Sequence, residues 1–133
     1  MLSVRNLYAG YGKLRVLFDV SVEVPEKEIT VVVGPNGAGK TTLLNSIMGI
    51  ADVFSGSIIF EGRDITRTAT HKLAKMGIAY VPQMGNVFAE LSVLENLRLA
   101  GYPLGKEELR DRIGEVTEMF PVLKRFLHRK AGT

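Results

Sequence analysis

The sequence of 133 residues contains no cysteine and only two histidines, His71 and His128. The lack of cysteine excludes a disulfide framework and thiolate chemistry, and two histidines are too few for a histidine-rich metal site. A reducing compartment such as the cytosol fits this composition best.

Long apolar runs are also lacking, since no stretch reaches the roughly 18 consecutive apolar residues that a membrane-spanning helix needs. The opening "MLSVRNLYAG" has no apolar run of the length found in signal peptides. We therefore expect that the chain does not cross a membrane by itself. The net charge of +3 arises from 17 Lys and Arg against 14 Asp and Glu, which are spread along the chain, so no nucleic-acid partner is expected.

Two neighbouring segments have different strand patterns. Residues 17–24 alternate between apolar and polar, which predicts an antiparallel or edge strand with one face in water. The face predicted to be buried carries Phe18, Val20, Val22 and Val24. Residues 29–33 are continuously apolar and rich in β-branched side chains, which predicts a strand buried on both faces.

Further along, "GSIIFEGRDI" predicts a strand with a glycine turn, and "IAYVPQ" predicts a strand that ends at Pro82. Helical spacing of apolar residues begins after Lys40 and predicts a helix that ends near Gly49. The stretch "THKLAKMG" predicts a short helix that stops at Gly77.

The last third of the chain is predicted to be mostly helical. Ser92 and Glu95 have the spacing of a capping box at a helix start. Pro121 is predicted to interrupt the next helix, after which a further short helix follows. The interrupted helix carries one apolar stripe, formed by Leu109, Ile113, Val116 and Phe120.

Between the apolar run and the first helix, Gly34, Gly39, Lys40 and Thr41 satisfy the pattern G-x-x-x-x-G-K-[ST] of a phosphate-binding loop. Glycines allow successive backbone N–H groups to turn inward around phosphate oxygens, so Gly37 matters as much as Gly34. The helix start adds a positive end, Lys40 reaches the β and γ phosphates, and the Thr41 hydroxyl can ligate Mg²⁺. The alternative is a plain glycine turn between a strand and a helix.

Together, "GPNGAGKTTLLNSIMGI" and "SGSIIFEGRDIT" resemble the first half of an ABC-transporter ATPase subunit. The resemblance implies an α/β fold: a P-loop NTPase (RecA-like) core with an N-terminal antiparallel β subdomain and the start of a helical subdomain. It assigns residues 1–90 to the β subdomain and core, and residues 91–133 to part of the helical subdomain, all within one ATPase domain.

The resemblance also implies a set of binding residues. An aromatic residue near the start of such chains stacks on adenine, and by position this is Tyr11, with Tyr8 as the lesser candidate; the alternative for Tyr11 is a surface aromatic on a β turn. Gln83 corresponds to a Mg²⁺ or attacking-water contact, and its alternative is an ordinary polar residue after a proline. Lys40 and Gln83 are the implied catalytic residues, and Thr41 and Gln83 the implied metal ligands. The implied ATP contacts are Tyr11, Gly34, Pro35, Asn36, Gly37, Ala38, Gly39, Lys40, Thr41 and Thr42.

Within the family, the segments "NGAGKTTLLNSIMG" and "HKLAKMGIAYVPQ" most resemble the ATPase subunits of branched-chain amino acid importers. Lys27 in place of a turn glycine and "PQMGN" in place of "PEGR" depart from that subgroup. The implied partners are integral membrane permease subunits and a second ATPase subunit, at the cytoplasmic face of the membrane. Two alternatives remain: a soluble ABC ATPase without a transport role, and a non-hydrolytic nucleotide-binding fragment.

The resemblance places further family motifs after a sequence like "LHRKAGT": the LSGGQ motif, a strand ending in an acidic pair, and a switch histidine. None occurs in these 133 residues. The resemblance therefore implies that these residues alone hydrolyse little or no ATP, because the acidic Mg²⁺ ligand and the water-polarising group belong to those motifs.

Overall fold

A computed structural model describes residues 1–132, and the chain divides into two compact units. The first unit is Met1–Ala79, and the second begins at Tyr80. The first unit contains β1 (Leu2–Tyr11), β2 (Leu14–Val24), α1 (Lys40–Ile47), β3 (Asp52–Phe60), β4 (Arg63–Asp64) and α2 (Thr70–Lys75). The second contains α3 (Val93–Ala100), α4 (Lys106–Met119) and α5 (Pro121–Phe126).

The sheet of the first unit is antiparallel, with strand order β2-β1-β3-β4. The predictions of an antiparallel edge strand over residues 17–24 and of a strand with a glycine turn in "GSIIFEGRDI" are confirmed by β2 and by β3 with β4. Leu43 of α1 and Leu73 of α2 pack on this sheet. The buried cluster is completed by Val4, Leu7, Ala9, Leu17, Ile58 and Ile65.

Three register shifts interrupt the pairing of β1 with β2, and two of them are β-bulges at Asn6 and Asp19. Each bulge residue has a positive φ, 46° for Asn6 and 55° for Asp19, in the left-handed region that Asn and Asp tolerate better than most residues. The Asn6 amide Nδ2 donates to the Asp19 carboxylate at 2.9 Å, and the Asn6 backbone N–H donates to Ser21 Oγ at 2.9 Å. The side chains of the two bulge residues are therefore hydrogen-bonded to each other across the strands.

The bulge at Asp19 overturns one predicted side-chain position. Strict alternation placed Phe18 on the buried face with Val20, but Phe18 is 62% exposed and Leu17 is buried instead. Because the bulge adds one residue to β2, the alternation before it is shifted by one position. The ring of Phe18 instead meets Tyr8 edge to face, with ring centroids 6.4 Å apart.

The predicted strands over residues 29–33 and 78–83 are wrong, since neither segment has strand structure. Ile29, Val31 and Val33 are 94%, 73% and 83% exposed, so the apolar run is not buried on either face. A strand is defined by hydrogen bonds to a neighbour, and no described strand pairs with these residues. Apolar, β-branched composition alone does not produce a strand here.

In the second unit, α3 begins with the predicted capping box, which is confirmed. The Ser92 hydroxyl accepts from the Glu95 backbone N–H at 3.2 Å, and Glu95 Oε2 accepts from the Ser92 backbone N–H at 2.7 Å. Hydrogen bonds from the Ser92 hydroxyl and then its backbone lower the pKa of Glu95. These bonds satisfy donors that a bare helix start would leave unpaired.

The remaining helices follow the predicted pattern. Leu109, Ile113 and Val116 of α4 are half-buried, whereas Phe120 lies just past the end of that helix and is 53% exposed. Pro121 opens α5, as expected for a residue without a backbone N–H. Over residues 1–132, none of the helices has the length and apolar character required to span a bilayer.

Candidate functional site

The glycine-rich loop leads directly into α1, whose cap residue Gly39 has φ 92°. Gly37 also has a left-handed backbone, with φ 84°. A Cβ at Gly39 would lie 2.7 Å from Leu17 Cδ2, while a Cβ at Gly37 would meet nothing within 4 Å. Gly39 is therefore required both by its backbone conformation and by its packing against β2, and Gly37 by its conformation alone.

Lys40, the first residue of α1, holds its ammonium group over the loop. Its Nζ donates to the backbone carbonyl oxygens of Gly34 and Pro35, both at 2.7 Å. Because α1 begins at Lys40, the positive end of its helix dipole also lies beside the loop. An anion with several oxygens, such as a triphosphate, is the kind of ligand that these two features favour.

The two threonines after Lys40 have different surroundings. Thr42 is buried, and its carbonyl oxygen accepts from Ser46 Oγ at 2.7 Å. Thr41 is exposed, so its hydroxyl is available to a ligand at the helix start. A hydroxyl oxygen is a suitable donor for Mg²⁺, which also keeps several waters. The position of Thr41 therefore fits a metal held beside bound phosphates.

Tyr11 ends β1 and is 42% exposed, whereas the lesser candidate Tyr8 lies within the strand against Phe18. The hydroxyl of Tyr11 accepts from Nδ2 of Asn45, on α1, at 2.8 Å. An exposed ring beside the helix that opens at the phosphate loop suits stacking on a base. Of the two tyrosines, Tyr11 is the better placed.

Gln83 belongs to the second unit and lies in a segment without regular secondary structure, where it is exposed. The phosphate loop, Lys40, Thr41 and Tyr11 all belong to the first unit. The roles predicted for all of these residues, from Tyr11 to Gln83, stay predictions.

Two residues beside Tyr11 were not singled out from the sequence. Asn45 donates to the Tyr11 hydroxyl, and Asp52 accepts from the backbone N–H of Gly12 at 2.8 Å. Neither contact had a signal in the sequence, since Asn45 is one of several polar residues in α1 and both contacts join residues distant in the chain. Among residues 1–132 there is no group of three His, Cys, Asp or Glu side chains that could hold a metal ion.

The family described as "ABC transporter" matches residues 17–132. The chain is 51% identical over 133 residues to a probable branched-chain amino acid transport ATP-binding protein, LivF, of Archaeoglobus fulgidus, covering 100% of this chain and 56% of the relative. It is 39% identical over 124 residues to the lipopolysaccharide export system ATP-binding protein LptB of Escherichia coli K12, covering 91% of this chain and 52% of that protein.

A solved structure of an ATP-binding cassette of an ABC transporter, in its ADP conformation, superposes with a TM-score of 0.84 at 30% identity. The match covers 99% of this chain and 57% of the solved chain. The chain thus spans little more than half the length of the proteins it matches.

Proposed function

Because this chain belongs to the ABC transporter family, we propose that it forms the ATP-binding part of a subunit that couples ATP hydrolysis to solute transport. The membership confirms the predicted resemblance, and the solved cassette confirms the predicted fold class. The observation that carries the proposal is the phosphate loop, in which left-handed Gly37 and Gly39 lead into α1 beneath the ammonium of Lys40.

In the proposed site, backbone N–H groups of the loop, among them those of Gly37 and Gly39, and the start of α1 bind the triphosphate of ATP. Lys40 leaves its two carbonyl partners to contact the β and γ phosphates, and the ring of Tyr11 stacks on adenine. Thr41 would hold Mg²⁺, which would supply positive charge that offsets the phosphate charge. On the family resemblance, Gln83 would be a further Mg²⁺ ligand or would orient the attacking water.

For the transported solute we propose branched-chain or related amino acids, taken up by an importer. The 51% identity to the archaeal relative over the whole chain supports this choice. The proposed partners are integral membrane permease subunits and a second ATPase subunit, which place the protein at the cytoplasmic face of the membrane. Residues 1–133 are then the first part of one ATPase domain.

A second candidate is the ATPase of a lipopolysaccharide exporter, favoured by the 39% identity to LptB. Purification of the full-length protein from membranes and identification of the copurifying permease distinguishes the two candidates. An amino acid permease supports the import proposal, and a lipopolysaccharide export permease contradicts it.

Hydrolysis is tested by phosphate release from the full-length protein and its Lys40→Ala variant. Loss of the ammonium group is expected to lower turnover by about 100-fold or more, because the charge that stabilises the transferred phosphoryl group is removed. Lys72→Ala removes an exposed lysine of α2 and serves as the matched control. Parental turnover in Lys40→Ala would contradict the phosphate-site assignment.

A further inference from the structure

The turn that carries Tyr11 is fixed to the rest of the first unit at two points. The backbone N–H of Gly12 donates to the Asp52 carboxylate at 2.8 Å, at the start of β3. The hydroxyl of Tyr11 accepts from Asn45 Nδ2 at 2.8 Å, on α1. One contact holds the backbone of the turn, and the other holds the end of the aromatic side chain.

The backbone of this turn is held by strand pairing, because Tyr11 pairs with Leu14 and Gly10 with Arg15. The backbone of Leu14 lies so close that a Cβ at Gly10 would overlap its carbonyl oxygen. Tyr11 as a residue is 42% exposed, so neighbouring groups cover its side chain only in part. The side-chain torsions of Tyr11 therefore keep some freedom, and the hydrogen bond from Asn45 restricts them.

Asn45 belongs to the same helix that opens at the phosphate loop. Its backbone carbonyl accepts from the N–H groups of Ile50 at 2.8 Å and Ala51 at 3.1 Å, which closes the end of α1. Its side chain contacts the β1–β2 turn, where Nδ2 donates to the Tyr11 hydroxyl. The same residue therefore fixes the end of α1 and the Tyr11 ring.

From this arrangement we infer that Asn45 is a positioning residue, which sets the Tyr11 ring at the angle needed to stack on the purine base of a nucleotide. Base and triphosphate are then both held with reference to α1, the base through Asn45 and Tyr11 and the triphosphate through Lys40. The inference rests on the proposed function and deepens it, because it gives the Tyr11 hydroxyl a role that stacking alone does not require.

The test compares the binding of ATP with that of tripolyphosphate, which has no base, in the full-length protein. Asn45→Ala and Tyr11→Phe each remove one side of the hydrogen bond, and each is expected to weaken ATP about three- to tenfold. Tripolyphosphate affinity should not change, and the double variant should lose no more than either single one. Tyr11→Ala, which removes the ring itself, should lose more ATP affinity than Tyr11→Phe.

Leu44→Ala is the matched control, because Leu44 is the neighbouring residue on α1 and is 45% exposed. It should change neither affinity. Additive losses in the double variant, or an equal loss of tripolyphosphate binding in Asn45→Ala, would show a general structural role and overturn the inference. If the parent binds ATP and Asn45→Ala binds it equally well, the inference fails and the proposed function stands. If the parent binds neither compound, the proposed function fails too.

Discussion

Strand β1 and residues 29–33 are both rich in apolar residues, yet their structures differ. In β1, Val4 and Leu7 are at most 1% exposed, and the strand is paired on both sides by β2 and β3. In residues 29–33, Ile29 is 94% exposed and no described strand pairs with the segment. Local composition permits a strand in both segments. Of the two, only β1 has hydrogen-bonding neighbours and a covering layer among the described residues.

The first unit likewise contains residues that are buried in the core and residues that lie near the exposed loop. Residues of the sheet core stabilise the fold because their buried side chains pack against one another. Residues 34–39 lie between the exposed run and α1, and Lys40 makes its polar contacts with loop carbonyls. We therefore expect changes in the core to alter the free energy of unfolding, and a change of the Lys40 side chain to act mainly on ligand binding.

The largest expected effect is a loss of folding stability when a side chain of β1 is truncated. The same kind of truncation in residues 29–33 serves as the comparison. Leu7→Ala should lower the free energy of unfolding by about 2–5 kcal/mol, because Leu7 is fully buried and its loss leaves a cavity. Val31→Ala, at a position 73% exposed, should change it by less than about 0.5 kcal/mol. Urea denaturation measures both. A large loss for Val31→Ala would mean that residues 29–33 are packed in solution.

The next largest effect on stability is expected at two glycines of the loop, Gly39 and Gly37, which both have a left-handed backbone. Gly39→Ala should destabilise the fold by about 1–3 kcal/mol, since a methyl group there meets both a left-handed φ and Leu17. Gly37→Ala has the same kind of φ but open space, so it should cost about 1 kcal/mol. Thermal denaturation of the two variants side by side measures the contribution of the Leu17 contact. Equal losses would show that the contact contributes nothing.

A smaller effect is expected in the second unit, where Ser92→Ala removes the cap of α3. The expected loss is about 1 kcal/mol, because the Glu95 backbone N–H loses its acceptor. Hydrogen exchange of the α3 amides measures the loss locally. Ser92→Thr keeps the hydroxyl and should retain most of the protection, and unchanged exchange in Ser92→Ala would contradict the role of the cap.

The smallest effect is a pH dependence at the same cap. The pKa of Glu95 is lowered by hydrogen bonds from Ser92 in the folded chain, so its contribution to stability is present above the ordinary glutamate pKa. It is lost as the pH falls through the lowered pKa. The difference in stability between the parent and Glu95→Gln should therefore shrink on acidification, as followed by denaturation at several pH values. A difference that grows at low pH would reverse the sign of this linkage.

Much of the fold could be predicted from local patterns. The capping box of Ser92 and Glu95, the break at Pro121 and the helix after Lys40 depend on neighbouring residues alone, and all are confirmed. The proposed phosphate loop was recognisable because Gly34, Gly39 and Lys40 match a motif whose spacing is fixed by phosphate binding.

The failures share a physical cause, since each depends on residues far away in the chain. The strand over residues 29–33 needs partners that local composition cannot supply. The exposed position of Phe18 depends on the bulge at Asp19, which Asn6 of another strand supports. The link between Asn45 and Tyr11 joins residues 34 positions apart. No periodicity in one segment contains these contacts.

The paired bulges also bear on how this sequence can change in length. Between buried Val4 and buried Leu7, the strand has one residue more than alternation requires, and without Asn6 the two would still face the same side. Asp19 has the same relation to Leu17 and Val20. At these two points the deletion of a single residue would leave the neighbouring side chains on their present faces, whereas within the regularly paired stretch of Leu2 to Val4 it would exchange the buried face for the exposed one.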